Sequence, residues 1–403
     1  MGAHLQIDPK LPAPFQRLRA AAWASNFGDG VRNAALPLVA FGLDGSATTV
    51  AMVAAAGTVP FAVLGLPAGT VADRRRRVPL IVSAHLFRFT VMALLAAVVL
   101  ADRHSVGLLV AGAFLLGCGE AVADSASPAL LPDLVESERL EEANSELETA
   151  ELVANDLVGP PVGGGLTSLT AGAPFVADAV SFLVAAGLVR AIEIDESHTR
   201  EPATTRWWAD LREGAHVSWN NPVLRATGAL VVLVQLGSIA AVAPIVAYLT
   251  GELGLSATGY GLFLGVGAVG GIAGARSVKG LVHRYGPFRV LVGALATTLA
   301  AYLLMAVPAI PVVAAGFALS FAAIVVGRVV VVTARQRSVP SRQLGRAQGA
   351  IRSVLWASAT VGALVGGALS DGLGVRSPFL FAAATTALAM AVTVPSLRRV
   401  LAA

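Results

Sequence analysis

Long apolar runs dominate this chain, separated by short polar turns. Twelve of them approach the roughly 20 apolar residues that a bilayer core requires. They fall at 17–42, 47–72, 79–101, 105–128, 143–168 and 172–192, and then at 223–250, 256–278, 288–307, 309–332, 344–370 and 375–397. Without water in the bilayer core, every backbone group must be satisfied within the segment, which a helix does. The pattern therefore predicts an all-α membrane protein of about twelve transmembrane helices in two six-helix bundles. Between them, Glu193 to Pro222 is too charged to span. This divides the chain into an N-terminal bundle (1–192), a linker (193–222) and a C-terminal bundle (223–403). Within the linker, Trp207, Trp208, Leu211 and Ala215 would share one face of a short surface helix resting on headgroups, or belong to a solvated linker.

Composition agrees with this picture. Hydrophobic residues make up 56% of the 403 and charged ones 13%, against roughly 25% charged in soluble domains. The net charge of +4 is modest and lies in short loops, so no nucleic-acid surface is indicated. Cys118 stands alone, so no intrachain disulfide forms. The first apolar run follows a polar tail and is too long for a cleavable signal core.

Four consecutive arginines, Arg74 to Arg77, lie between the second and third runs in GTVADRRRRVPL. Basic short loops stay on the cytoplasmic side. With the N-terminus inside, the cytoplasmic segments hold 23 of the 29 Lys and Arg; Arg103 and Arg376 lie on the other side, and Arg32, Arg88, Arg328 and Arg352 within spans. Both termini of this multi-pass membrane protein are therefore expected in the cytoplasm.

A weak internal repeat puts GTVADRRRRV after span two and KGLVHRYGPFRV after span eight. Paired halves recur in transporters with a midplane site. Over essentially its whole length the chain resembles a major facilitator superfamily transporter. Gly69, Asp73, Arg74 and Arg77 match that family's turn after span two, although its internal glycine is missing and His283 replaces the aspartate in the second copy. In relatives this aspartate lies near the start of span eleven, which implies a role in gating. Gly159, Pro160, Gly163 and Gly164 resemble the span-five motif of antiporters, more frequent in exporters; proline denies a backbone donor and bends the helix, or the motif is a plain packing kink. SNFGDGVRNAALPL, LLPDLVESERLEEAN, PFVADAVSFL, LREGAHVSWNNPVLRA and RQRSVPSRQLGRAQGA are together similar to the enterobactin-exporter and macrolide-efflux branch.

Charges inside a bilayer are costly unless paired or used, so they are the candidate chemistry. Asp29 and Arg32 lie three apart on one helix face, as an ion pair or as a protonatable acid held by its arginine. Glu120 and Asp124 stack four apart, and two carboxylates this close cannot both ionise cheaply in low dielectric. Asp156 lies deep, just before the proline kink. Asp29, Glu120, Asp124 and Asp156 are thus the candidate proton carriers. Glu148 is read as interfacial and Asp178 as structural, near the outer side. His85 and Arg88 share a face, with an acid of another span as the expected partner. The resemblance places spans one, four, seven and ten around a cavity, which makes Phe27, Arg32, Gln235 and Arg328 candidate cargo contacts. From Val223 onward the only acids are Glu252 and Asp371, both expected in outer loops.

One departure bears on coupling: no arginine occurs in span four, where many proton-coupled relatives carry one, and Arg32 or Arg88 would have to replace it. The six histidines are scattered, no cysteine pair can bind metal, and no phosphate-cradling loop occurs. The chain is read as a non-enzymatic, monomeric secondary exporter of small amphipathic molecules, driven by protons and needing no cofactor or metal. An uptake permease, or a non-transporting sensor or scaffold on the same fold, are the alternatives.

Overall fold

The structure is a computed structural model that describes residues 11–194, 207–338 and 341–401, without describing the side chains of 66, 68–74, 207–211, 214, 338, 341–347 and 399–401. Among the described residues there is no strand. The first half runs α1 (Ala13–Asp44), α2 (Ala47–Arg74), α3 (Arg77–Leu100), α4 (Val106–Leu134), α5 (Leu140–Ala150), a π-helical stretch (Glu151–Val158), α6 (Gly159–Leu169) and α7 (Ala173–Arg190). After α8 (Trp207–Asn220), the second half runs α9 (Pro222–Val242), a π-helical stretch (Ala247–Glu252), α10 (Ala257–Tyr285), α11 (Pro287–Met305), α12 (Ile310–Ser338), α13 (Ser341–Leu373) and α14 (Ser377–Leu401).

Ten of these segments are long and apolar enough to cross a membrane. The other two long segments are α1 and the α5–α6 stretch, whose polar and charged residues set them apart; they are the ones that carry Asp29, Arg32, Glu148, Glu151 and Asp156. Twelve segments in antiparallel succession leave both described ends on one face, here the terminal face. Span five is not one continuous α-helix. Pro160 and Pro161 remove two backbone donors, and the stretch before them adopts the wider register in which the Gly159 N–H bonds the Ala154 carbonyl.

Local chemistry sets the boundaries. Gly45 closes α1 in the left-handed region (φ 70°), its N–H on the Phe41 carbonyl at 2.8 Å. Asn221 and Ser256 cap α9 and α10, accepting from the N–H groups of Val223 at 2.9 Å and Gly259 at 3.1 Å. Of the expected surface-helix face, Trp207, Trp208 and Leu211 lie outside the described side chains, and Ala215 is exposed.

Three apolar cores describe how the halves meet. One, around Ala34, Phe182, Tyr248 and Phe317, is continuous across both halves near the face away from the termini. The other two stay within one half each, around Phe15 and Leu130 in the first and Leu230 and Leu291 in the second. The halves are therefore joined at the far face and parted at the terminal face. Large apolar side chains such as Leu94, Val180, Leu262 and Leu388 remain exposed on the outside, as helices facing lipid tails require.

Candidate functional site

The gap between the two inner cores is a cavity of about 1220 Å³, opening toward the terminal face. Its ceiling is the stack of Phe61 on Trp356, ring centroids 4.5 Å apart. The first-half wall carries Asn26, Asp29, Asn33, Glu120, Asp124, Glu148, Glu151 and Asn155. The second-half wall carries Gln235, Arg328, Arg335, Gln348 and Arg352 amid apolar residues such as Leu230, Leu295 and Val331.

Behind the first-half wall lies a charge cluster drawn from four helices. On α1, Arg32 pairs with Asp29 at 2.7 Å, three residues earlier. From α3, Arg88 reaches the same Asp29 oxygen at 2.5 Å and Glu120 of α4 at 3.1 Å. Arg32 also meets Glu120 at 3.2 Å and Asp178 of α7 at 3.4 Å. Three carboxylates thus surround two guanidiniums. Pairing offsets the cost of removing these charges from water, which for an isolated ion is several kcal/mol or more. With all five groups ionised, one negative charge is left over. One proton or one small cation balances it.

Two glycines make the cluster possible. A Cβ at Gly119 would sit 2.7 Å from Arg88 Cγ, and one at Gly28 would overlap Asp178 and Ser181. Arg88 also lies over the Phe182 ring, 4.1 Å from its centroid. Exposure sorts the members. Asp178 is fully buried and Asp29, Arg32 and Arg88 nearly so, while the Glu120 side chain is 28% exposed and opens into the cavity. Asp29 and Arg88 also touch the cavity lining, but Glu120 is the cluster member most exposed to it. Asp124, one turn further along α4, is exposed to the same cavity.

The structure gathers some predicted residues and separates others. Asp29, Glu120 and Asp124 line the cavity, as do Gln235 and Arg328. Arg32 lies behind Asp29 in the cluster rather than in the lining, and Phe27 is half-buried outside it. Asp156 also lies away from the lining, accepting from the Asn155 side chain at 3.2 Å. Gly159, Pro160, Gly163 and Gly164 sit where α6 is pressed between α1 and α10. A Cβ at Gly159 would lie 2.6 Å from Gly30 Cα; Gly163 abuts the Val31 carbonyl, Gly164 that of Ala257, and the Pro160 carbonyl abuts Gly261. Arg77 pairs with Asp133 of α4. Gly69, Asp73 and Arg74 fall in the last turns of α2, their side chains outside those described.

Three features escape the sequence reading. Asp178, read as structural near the outer side, joins the cluster through Arg32. Arg335, expected beyond the end of span ten, is buried because α12 continues to Ser338; its Nε and a terminal nitrogen donate to the Thr227 hydroxyl and carbonyl, both at 3.0 Å. Gly362, Gly366 and Gly367 repeat the spacing of Gly159, Gly163 and Gly164, and meet α9 and α2 as those meet α1 and α10. Comparing the two halves for glycine spacing would have found this last one.

Two six-span halves around a central cavity with a buried charge cluster define a membrane transporter. The chain belongs to the major facilitator superfamily: its family of transmembrane secretion effectors matches residues 9–401. It is 28% identical over 385 residues to the multidrug efflux pump Tap of Mycolicibacterium fortuitum, covering 91% of each chain. Among solved structures, an inward-facing bacterial homologue of the iron transporter ferroportin superposes with a TM-score of 0.77 at 18% identity, over 95% of this chain and 98% of that one. An outward-facing bacterial homologue of the iron transporter ferroportin gives 0.65 at 22% identity, over 96% of this chain and 100% of that one. The nucleoside transporter NupG gives 0.80 at 9% identity, over 95% and 99%.

Proposed function

We propose that this protein is a secondary active exporter of small amphipathic molecules, exchanging cargo for protons by alternating access. The terminal face is the cytoplasmic one, at the bacterial inner membrane, and the unit is a single chain. The segments 1–192 and 223–403 are the two rocking bodies and 193–222 is their tether. The observation that carries this reading is the cluster of three carboxylates on two guanidiniums at the wall of a cavity open to the terminal face. A set that lacks one positive charge binds a proton or a cationic group, and the two compete. That competition is the minimal requirement for exchange. Inward proton movement is worth roughly 2.3 kcal/mol per 100 mV from the potential alone, enough to drive accumulation against a gradient. The similarity to a multidrug efflux pump supports the export direction and the cargo class.

Glu120 is the carrier in this scheme, because it is the cluster member most exposed to the cavity. Asp29 holds the two arginines, and Arg88 takes the place of the arginine missing from span four. In proteoliposomes with an imposed proton gradient, Glu120→Gln should abolish uphill transport of a lipophilic cation such as ethidium and leave downhill flux measurable. Uphill transport by the variant at the wild-type rate would remove Glu120 from the coupling step. Transport of neither ethidium nor a neutral amphiphile by the wild type would remove the cargo class.

A further inference from the structure

On the far face, the two halves are clasped by one carboxylate at a helix end. Asp371, close to the end of α13, reaches across to the start of α2. Its two oxygens accept from the Ala47 N–H at 3.0 Å, the Thr48 N–H at 2.9 Å and the Ser46 hydroxyl at 2.8 Å. The first N–H groups of a helix have no partner inside it, and they carry the positive end of its dipole. A carboxylate there makes charge-assisted bonds, roughly twice as strong as neutral ones.

The related crossing has no such clasp. Where α6 meets the start of α10, the corresponding contact is a long one, 3.5 Å between the hydroxyls of Thr258 and Ser168. Below Asp371, α2 and α13 stay closed over their outer halves. Gly367 admits Ala47, Thr48 and Ala51, the hydroxyls of Thr58 and Thr360 lie 2.8 Å apart, and Phe61 stacks on Trp356 where the cavity begins. The contacts below the clasp are apolar or neutral.

We infer that Asp371 is the far-side latch of the transport cycle. The inference rests on the alternating-access reading above. Opening the far side separates α2 from α13, and all three bonds to Asp371 break in that one movement. The latch thereby sets the balance between the inward-open form and the form open to the far side. It acts on the gate alone: Asp371 touches neither the cavity nor the charge cluster. Its loss moves the conformational balance and leaves the binding wall intact.

The test is a distance measurement across the far face. Spin labels go on Arg103→Cys in the α3–α4 turn and Val307→Cys in the α11–α12 turn, in full-length Cys118→Ala protein in lipid nanodiscs. Pulsed electron resonance then gives the ratio of long to short distances. Asp371→Asn keeps the side-chain shape and removes the charge; it should raise that ratio about tenfold. Ala47→Pro deletes one donor at the first helical position, where proline is tolerated, and should move the ratio the same way by less. Ser168→Ala, at the related crossing, should leave it unchanged. An unchanged ratio in both latch variants, in protein whose wild type shows both distances, overturns the latch. A wild type that shows one distance with and without cargo, across pH, overturns alternating access and the latch with it.

Discussion

The two halves of this transporter share a packing code and differ in charge. In the first, Gly159, Gly163 and Gly164 bring α6 against α1 and α10. In the second, Gly362, Gly366 and Gly367 bring α13 against α9 and α2 at the same spacing. The helices they meet across the divide both begin Ser-Ala-Thr, at Ser46 and Ser256. In lipid there is no hydrophobic force between helices, so close backbone approach at small residues supplies the van der Waals contact that holds them. The charges follow no such symmetry. The first half gathers Asp29, Arg32, Arg88, Glu120 and Asp178 together, while the second-half cavity wall holds three arginines and no acid. The comparison separates scaffold from charge: the glycine scaffold is duplicated, and the buried ion-pair cluster is built into one copy.

The largest effect should come from breaking the charged copy. Arg88→Ala leaves Asp29, which is nearly buried, and Glu120, which is partly exposed, each with one guanidinium fewer. Removing one partner of a buried pair costs roughly 3–5 kcal/mol. The variant should lose several degrees of thermal stability in detergent, and Arg88→Ala with Asp29→Asn should recover part of the loss. A single variant as stable as the wild type would mean that the cluster is not electrostatically coupled.

The shared code is tested next. A Cβ at Gly163 meets the Val31 carbonyl, and one at Gly366 meets the Ala240 carbonyl, both well inside contact distance. Valine at either position overpacks a helix crossing, at about 1–3 kcal/mol. The two substitutions should lower the melting temperature by similar amounts. A large loss at one and none at the other would show that the glycines are not equivalent.

Much of this was legible in the sequence. The twelve runs, the membrane class and the family all followed from apolar length and ordered motifs, because the bilayer permits few alternatives to helices of that length. Asp29, Glu120 and Asp124 were legible as costly charges. The Asp29–Arg32 pair was legible from its spacing of three, and an acid of another span was expected for Arg88. Which acids meet across helices was not, since Arg88 lies 59 residues from Asp29 and Asp178 lies 146 from Arg32, and helical spacing relates residues only within one helix. The burial of Arg335 was hidden by hydropathy, which ended span ten early among its basic residues. The role of Asp371 was hidden because an acid after an apolar run reads as a solvated loop, and the helix end it caps belongs to the other half.

The smallest effect should come from the neutral-to-basic copy. Arg328 is exposed to cavity water and makes no ion pair among the described residues. Its removal should therefore change stability by less than about 0.5 kcal/mol, as for other exposed positions. Its effect belongs to cargo. Two unit charges about 4 Å apart in water interact by roughly 1 kcal/mol, so Arg328→Gln should tighten binding of a monovalent lipophilic cation only a few-fold. Glu151→Gln, on the opposite wall, should weaken it by a similar factor. Fluorescence titration of purified protein with a cationic dye reads both. Raising salt to about 1 M shortens the screening length to about 3 Å, and both differences should then shrink. Equal affinities in the two variants at low salt would mean that the walls do not sort cargo by charge, and that the charge asymmetry of the halves does not act on cargo.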